Sequence, residues 1–278
     1  MSQDTSRISI SAHYTGYVWY KNGLSRSEFV TGTGQFANVL ISPVNAIMKG
    51  ITGAHMDVFL LQRHLVLDHL LSELIEQGVE QVIELAAGLS PRGFRISEKY
   101  AQITYIETDL PGMAARKSAL LKSLNRPDRH RATACNILAD TGEDSISGIL
   151  SSLDKSKKTV IISEGLVNYF PLTLIRPVWA NIAKELKSFP EAYYLTDLYP
   201  NLLEHPHYRY VKMTQKLVEV FTRGKWPLHY NNNEEIKQGF LQDGFNQVDV
   251  LDPAQFYQKL DIPQTRNQTL VRLIKAKA

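Results

Sequence analysis

The chain has 278 residues, 44% hydrophobic and 21% charged, the make-up of a globular protein with one sizeable core. A net charge of +3 is spread thinly, with clusters only at "KSKK" (155–158) and the closing "KAKA", which excludes an electrostatic case for nucleic acid. One cysteine, Cys135, excludes an internal disulfide, and no uncharged apolar run reaches the length of a membrane span, so a soluble, cytoplasmic protein is expected.

Residues 1–80 show no strand pattern and read as an N-terminal helical cap. Its last segment, "MDVFLLQRHLVLDHLLSELIEQG", repeats Val58, Leu61, Leu65, Leu70 and Leu74 at helical intervals until Gly78 stops it. Strand-like runs follow at "QVIEL" (81–85), "QITYIET" (102–108), "ATACNI" (132–137), "TVIISE" (159–164), "AYYLTD" (192–197), "FNQVDV" (245–250) and "TLVRLIKA" (269–276). Most are unbroken apolar stretches, as strands buried on both faces are. Between them, the segment opened by Pro111 carries Met113, Leu120, Leu121 and Leu124 on one face. The segment opened by Pro171 carries Leu174, Val178, Ile182 and Leu186, with Pro177 inside as a kink point. Strand and helix alternate from 81 to 197, which predicts an α/β fold: a doubly wound, mainly parallel, seven-stranded sheet over 81–278, forming one compact unit with the cap. A Tyr- and His-rich insertion, 198–243, precedes the last strands and reads as a lid.

In such a sheet ligands sit beyond the carboxyl ends of the strands, where the strand order reverses. Strand ends here carry Glu84 with Gly88, then Glu107 with Asp109, Asn136, Glu164 and Asp197. Small residues in "LAAG" let backbone approach a ligand, and Asp109, 21 residues after Gly88, is placed to accept two ribose hydroxyls. A dinucleotide fingerprint needs G-x-G-x-x-G for its pyrophosphate, and Ala86 stands where the first glycine would be. The corner therefore fits a nucleoside ligand without phosphate better than NAD. Glu164 ends a buried strand, where an acid is costly unless partnered, so a cationic ligand is expected beside it.

The runs "QVIELAAGLSPRGFR", "YIETDLPGMAARKSALL" and "VIISEGLVNYFP", with the opening "SISAHYTGYVWYKNGL" and the arginine of "LLQRHLVLDHLL", resemble the leucine carboxyl methyltransferase family. They resemble most its bacterial branch of tetracenomycin-type polyketide O-methyltransferases. The resemblance covers roughly residues 8–200 and implies a class I methyltransferase of Rossmann-like fold using S-adenosylmethionine. It implies that Arg63 holds the methionine carboxylate, that Glu84, Ala86 and Gly88 line the methionine side, that Asp109 binds the ribose, and that Glu164 lies near the sulfonium. Where the family often has Asp-Leu beside the adenine, this chain has Asn136 and Ile137.

Methyl transfer is an in-line displacement, so the protein mainly aligns and desolvates the partners. A carboxylate acceptor needs no base; a phenol gains from one. His13, Tyr17 and Tyr169 are the catalytic candidates, His13 and Tyr17 falling on one helix face. Tyr14, Tyr20, Asp197 and Tyr199 are the substrate-side candidates, and Trp19 and Trp226 suggest a closed mouth suited to a small-molecule acceptor. His205, His207 and Tyr210 add polar groups in "EHPHYRY", too sparse in acids for a metal site; no metal and no membrane partner is expected. His55, His64, His69, His130 and His229 read as structural. Competing readings are a methyltransferase of protein C-terminal carboxylates, a nicotinamide-dependent oxidoreductase, and a non-catalytic S-adenosylmethionine-binding protein.

Overall fold

The apolar runs pair as seven strands: β1 (Gln81–Leu85), β2 (Thr104–Asp109), β3 (His130–Ala134), β4 (Thr159–Ser163), β5 (Ala192–Leu198), β6 (Gln247–Leu251) and β7 (Arg272–Lys277). The structure, a computed structural model, describes residues 6–278 except 53–55, 204–207, 209–211, 213–214, 217–218, 220–224 and 266–268. His55, His205, His207 and Tyr210 therefore lie outside the described residues. Strand order is β3-β2-β1-β4-β5-β7-β6, parallel from β3 to β5, with β7 antiparallel to both neighbours. Order reverses between β1 and β4, which puts the expected ligand crevice at their carboxyl ends.

Alternating side chains supply two cores. Ile83, Leu85, Ile161, Tyr194 and Ile274 meet α6 (Ile146–Ser151), α7 (Leu172–Leu186) and α8 (Asn233–Gln242) on one face. Val82, Val160, Ile162, Leu195 and Leu273 meet α3 (Met56–Glu76) and α4 (Arg92–Lys99) on the other. Helix α3 is buried on nearly every side because its outer face also receives α1 (Ser6–Lys21) and α2 (Gly32–Thr52), through Tyr14, Val18, Trp19, Ala37 and Ile41 against Leu60 and Leu61. Gly78 ends the α3 connection at φ +98°, a left-handed value that glycine adopts without strain. Among the described residues no helix is long and apolar enough to cross a membrane.

Several expectations shift. The third strand starts two residues early and stops at Ala134, because the Asn136 N–H turns to the Asp144 carbonyl (2.7 Å). In α7 the inward set is Ile175, Val178, Trp179, Ile182 and Leu186, while Leu174 points out at 45% exposure. The insertion read as a lid, 198–243, includes α8, whose Ile236 and Phe240 are fully buried in the main core. In α5 (Pro111–Ser123) the inner face holds Ala114, Lys117 and Leu121, a lysine in the middle of the apolar stripe. Cys135 is buried as expected, and burial pushes its thiol up to about 12.

Trp179 is fully buried and stacks on Phe240 with ring centroids 4.4 Å apart. Trp179→Ala is expected to cost about 3–5 kcal/mol in urea unfolding while leaving the far-ultraviolet dichroism of the folded form unchanged.

Candidate active site

After β1 the chain turns through Ala86 and Gly88, both at φ +51°. For Ala86 that left-handed geometry costs roughly 1 kcal/mol, which a glycine would avoid. Helix α1 lies over the turn, so that a Cβ on Gly88 would stand 3.1 Å from the Ala12 methyl. Asp109, at the end of β2, ties the turn down: its Oδ2 accepts from the Gly88 N–H and its Oδ1 from the Leu110 N–H, both at 2.7 Å. Burial pushes the Asp109 carboxyl up, against these two N–H donors. Each oxygen keeps a further lone pair, so a diol could still be accepted.

Beside the turn lies a buried ionic cluster. Arg92, fully buried at the start of α4, donates from Nε to Asp68 (2.6 Å), from Nη1 to Glu84 (2.6 Å) and from Nη2 to Glu164 (2.5 Å). Glu84 also accepts from the Tyr105 hydroxyl (2.7 Å). Glu164 accepts from Arg63 Nε (2.9 Å) and meets His64 Nδ1 at 2.7 Å. Arg95 joins Asp68 and lies 2.7 Å from His64 Nε2. Burial alone would raise the Glu164 carboxyl, but His64, Arg92 and Arg63 hold it well below the usual carboxylate range. Glu164, for which a cationic ligand is expected, also has partners within the chain in Arg63, Arg92 and His64. Arg92 was not among the sequence candidates although it sits in "SPRGFR", and His64, read as structural, is part of the cluster.

Arg63 also reaches the end of β5. Its Nη1 is 3.6 Å from Asp197 Oδ2, and Asp197 Oδ1 accepts from the Gly165 N–H at 2.6 Å. Gly165, at φ +65°, leaves room for this: a Cβ there would stand 2.7 Å from Arg63 Nη2. Burial raises the Asp197 carboxyl, opposed by Arg63. Burial pushes the Tyr199 hydroxyl up to about 12, although Arg63 hydrogen-bonds it. Tyr169, bonded to Ser11 of α1, lies in the same region. Arg63, Glu84, Glu164, Tyr169, Asp197 and Tyr199 are therefore gathered around one cluster, and Ala86, Gly88 and Asp109 form the adjoining turn, joined to it by the Arg92 N–H on Ser90 Oγ (3.2 Å).

The α1 candidates divide. Tyr14, a substrate-side candidate, is interior, 3% exposed, its ring in the cap core and its hydroxyl donating to Asp57 (2.7 Å). His13 is half-buried, its Nδ1 2.9 Å from Thr31 Oγ1; burial, then Arg116, lowers its pKa. Tyr17 is half-buried and Tyr20 exposed, with ring centroids 6.3 Å apart. Trp19 is not at a mouth: it stacks on His64 inside, centroids 4.2 Å apart. Asn136 is exposed, its Oδ1 capping the Leu138 N–H (3.1 Å), and Ile137 packs partly against the core.

Residues 29–183 match the model of the family described as leucine carboxyl methyltransferase. A Mycobacterium ulcerans protein provisionally named as an S-adenosyl-L-methionine-dependent methyltransferase is 34% identical over 114 residues, 41% of this chain and 35% of that one. A like-named Mycobacterium tuberculosis protein is 29% identical over 105 residues, 37% of this chain and 33% of the relative. The matched stretch thus spans about a third of the length of these curated relatives. Among solved structures, a provisionally assigned methyltransferase of Thermobifida fusca superposes with TM-score 0.63 at 14% identity, covering 96% of this chain and 93% of that one. A DUF574-family protein of Streptomyces avermitilis superposes with TM-score 0.61 at 12% identity, covering 96% of each. These two share the fold.

Arg92→Met is expected to leave Glu84 buried without its cation and to destabilise the protein by about 3–5 kcal/mol in chemical unfolding. The depressed Glu164 carboxyl contributes stability that is fully present above the ordinary carboxyl range and is lost as pH falls below about 4.5 toward the folded value. Glu164→Gln should flatten that acid limb of a stability-against-pH curve; an unchanged slope would refute the assignment.

Proposed function

We propose that this chain, which belongs to the leucine carboxyl methyltransferase family, is an S-adenosylmethionine-dependent methyltransferase that methylates an oxygen of a small molecule. The observation that carries the reading is the turn at 86–90, with left-handed Gly88 pressed under Ala12 and tied to Asp109. That arrangement offers a carboxylate to a diol but no run of N–H groups from three glycines to a pyrophosphate.

The residues present fit the cofactor. Asp109 would take the ribose hydroxyls, and Glu84 and Gly88 would border the methionine portion. Arg63, with Glu164 and Asp197 balancing its charge, would take the methionine carboxylate, and Asn136 and Ile137 would border the adenine. When bound, S-adenosylmethionine supplies an electrophilic methyl on a sulfonium and leaves as S-adenosylhomocysteine.

The protein's own part is alignment and exclusion of water. Helix α1 closes over the turn through Ala12, while Tyr169, tied to Ser11, and Tyr199, packed on Trp226 with centroids 4.9 Å apart, wall the side beyond β4 and β5. This aromatic wall supports a small, aromatic, polyketide-like acceptor over a peptide tail. His13, kept neutral at pH 7 by burial and Arg116, could accept a phenolic proton; a carboxylate acceptor would need no such step. Tyr17 and Tyr20 fall on the helix face of His13, Tyr17 half-buried and Tyr20 exposed.

Calorimetry with S-adenosylmethionine and S-adenosylhomocysteine tests the reading. Micromolar binding by the wild type, weakened about tenfold or more in Asp109→Ala, with none for NAD, is expected. A folded wild type that binds neither would overturn it. Release of S-adenosylhomocysteine with phenolic against carboxylate acceptors then separates the two acceptor classes, and His13→Ala should slow only the phenolic one.

A further inference from the structure

The stripe of α5 that faces the sheet contains a cation, Lys117, only 2% exposed. An ammonium has three N–H donors and no acceptor, so burial demands three partners. Lys117 Nζ donates to the Ser90 carbonyl at 2.6 Å, lies 3.4 Å from the Gly88 carbonyl and pairs with the Glu107 carboxylate. The Phe29 ring covers it, with Nζ 5.3 Å from the centroid.

Glu107 is fixed in turn. Its Oε1 meets His130 Nε2 at 2.7 Å, and Gly93 makes room for it, since a Cβ there would stand 2.5 Å from that oxygen. His130 Nδ1 is 2.9 Å from Ser97 Oγ. Ser97, His130 and Glu107 mimic a hydrolytic triad, but all three are buried and the serine hydroxyl is given to the Gly93 carbonyl (2.5 Å). The chain of contacts ends instead on the backbone of the turn. Gly88 is held from both sides, its N–H by Asp109 and its carbonyl by Lys117, so the orientation of the peptide planes flanking the left-handed residue is set by two side chains eight positions apart in "DLPGMAARK".

We propose that Lys117, charge-balanced by Glu107, is a positioning residue: it fixes the Gly88 and Ser90 carbonyls and so presets the turn at 86–90 for its ligand. The ligand arm of the test rests on the methyltransferase reading; the backbone arm does not.

The double variant Glu107→Gln/Lys117→Met removes both charges together, so that no lone ion is left buried, and Glu107→Gln alone leaves the ammonium on the two carbonyls. Amide hydrogen exchange at Ala87, Gly88 and Ser90 is compared with exchange at Leu273 in β7, and S-adenosylhomocysteine affinity is measured on the same samples. The expected result is faster exchange at the turn in the double variant only, unchanged exchange at Leu273, and affinity weakened about tenfold. Turn exchange equal to wild type in the double variant would overturn the proposal, as would equal acceleration at Leu273, which marks general loosening. If the wild type binds no S-adenosylhomocysteine, the methyltransferase reading fails and the exchange comparison alone decides the role of Lys117.

Discussion

One buried guanidinium organises the ligand end of the sheet. Arg92 presents its planar fork to acids from three separate elements: Asp68 on α3, Glu84 inside β1 and Glu164 after β4. Each of these carboxylates would be costly where it sits without a cation, and the cation would be costly without them. A lysine could supply the charge but not three directed donors in one plane. The positions of α3, α4 and the β4 exit are thus mutually dependent, and Arg63 and His64 extend the dependence to β5 and α1 through Asp197 and the Trp19 stack.

A second, smaller assembly stands on the other side of the same turn. Asp109 and the Glu107–Lys117 pair come from one continuous segment, β2 into α5, and both close on Gly88. Arg92 N–H on Ser90 Oγ ties this assembly to the first. The turn at 86–90 is therefore braced by charge from two directions, while its exposed work is left to backbone and to the carboxylate of Asp109. This division makes the stretch from β1 to α5 a physical unit, since its residues hold each other.

The sheet was legible in the sequence because buried parallel strands are unbroken apolar runs, and "QVIEL" and "TVIIS" have no helical alternative of that length. Strand ends were less legible where a polar residue decides them, as Asn136 does for β3. Asp68, midway along α3, gave no strand-end signal, whereas Glu84, Glu107, Asp109, Glu164 and Asp197 were legible because they lie at or near strand ends. Their partners were not: Arg92 and Lys117 sit where a charged residue ordinarily faces water, and only the burial of their neighbours reveals the exception. A usable signal existed for Lys117, which falls on the same helix face as Ala114 and Leu121. The inward turn of Tyr14 toward Asp57 was not legible either, since an aromatic on a cap helix can face either way.

The placement of β7 between β5 and β6 bears on the order of assembly. The strands from β3 to β5 each find a neighbour among segments already made, but β6 pairs only with β7, which is made after it. During synthesis the half-sheet carrying β1 and β4 can form around its crevice while β6 waits unpaired. Completion requires β7 to enter antiparallel against the open edge of β5, joining segments some eighty residues apart, for example Tyr194 with Ala276. The long-range pairing thus closes on the strand that carries Asp197, so the β5 side of the cluster gains its outer neighbour only when the last strand is in place.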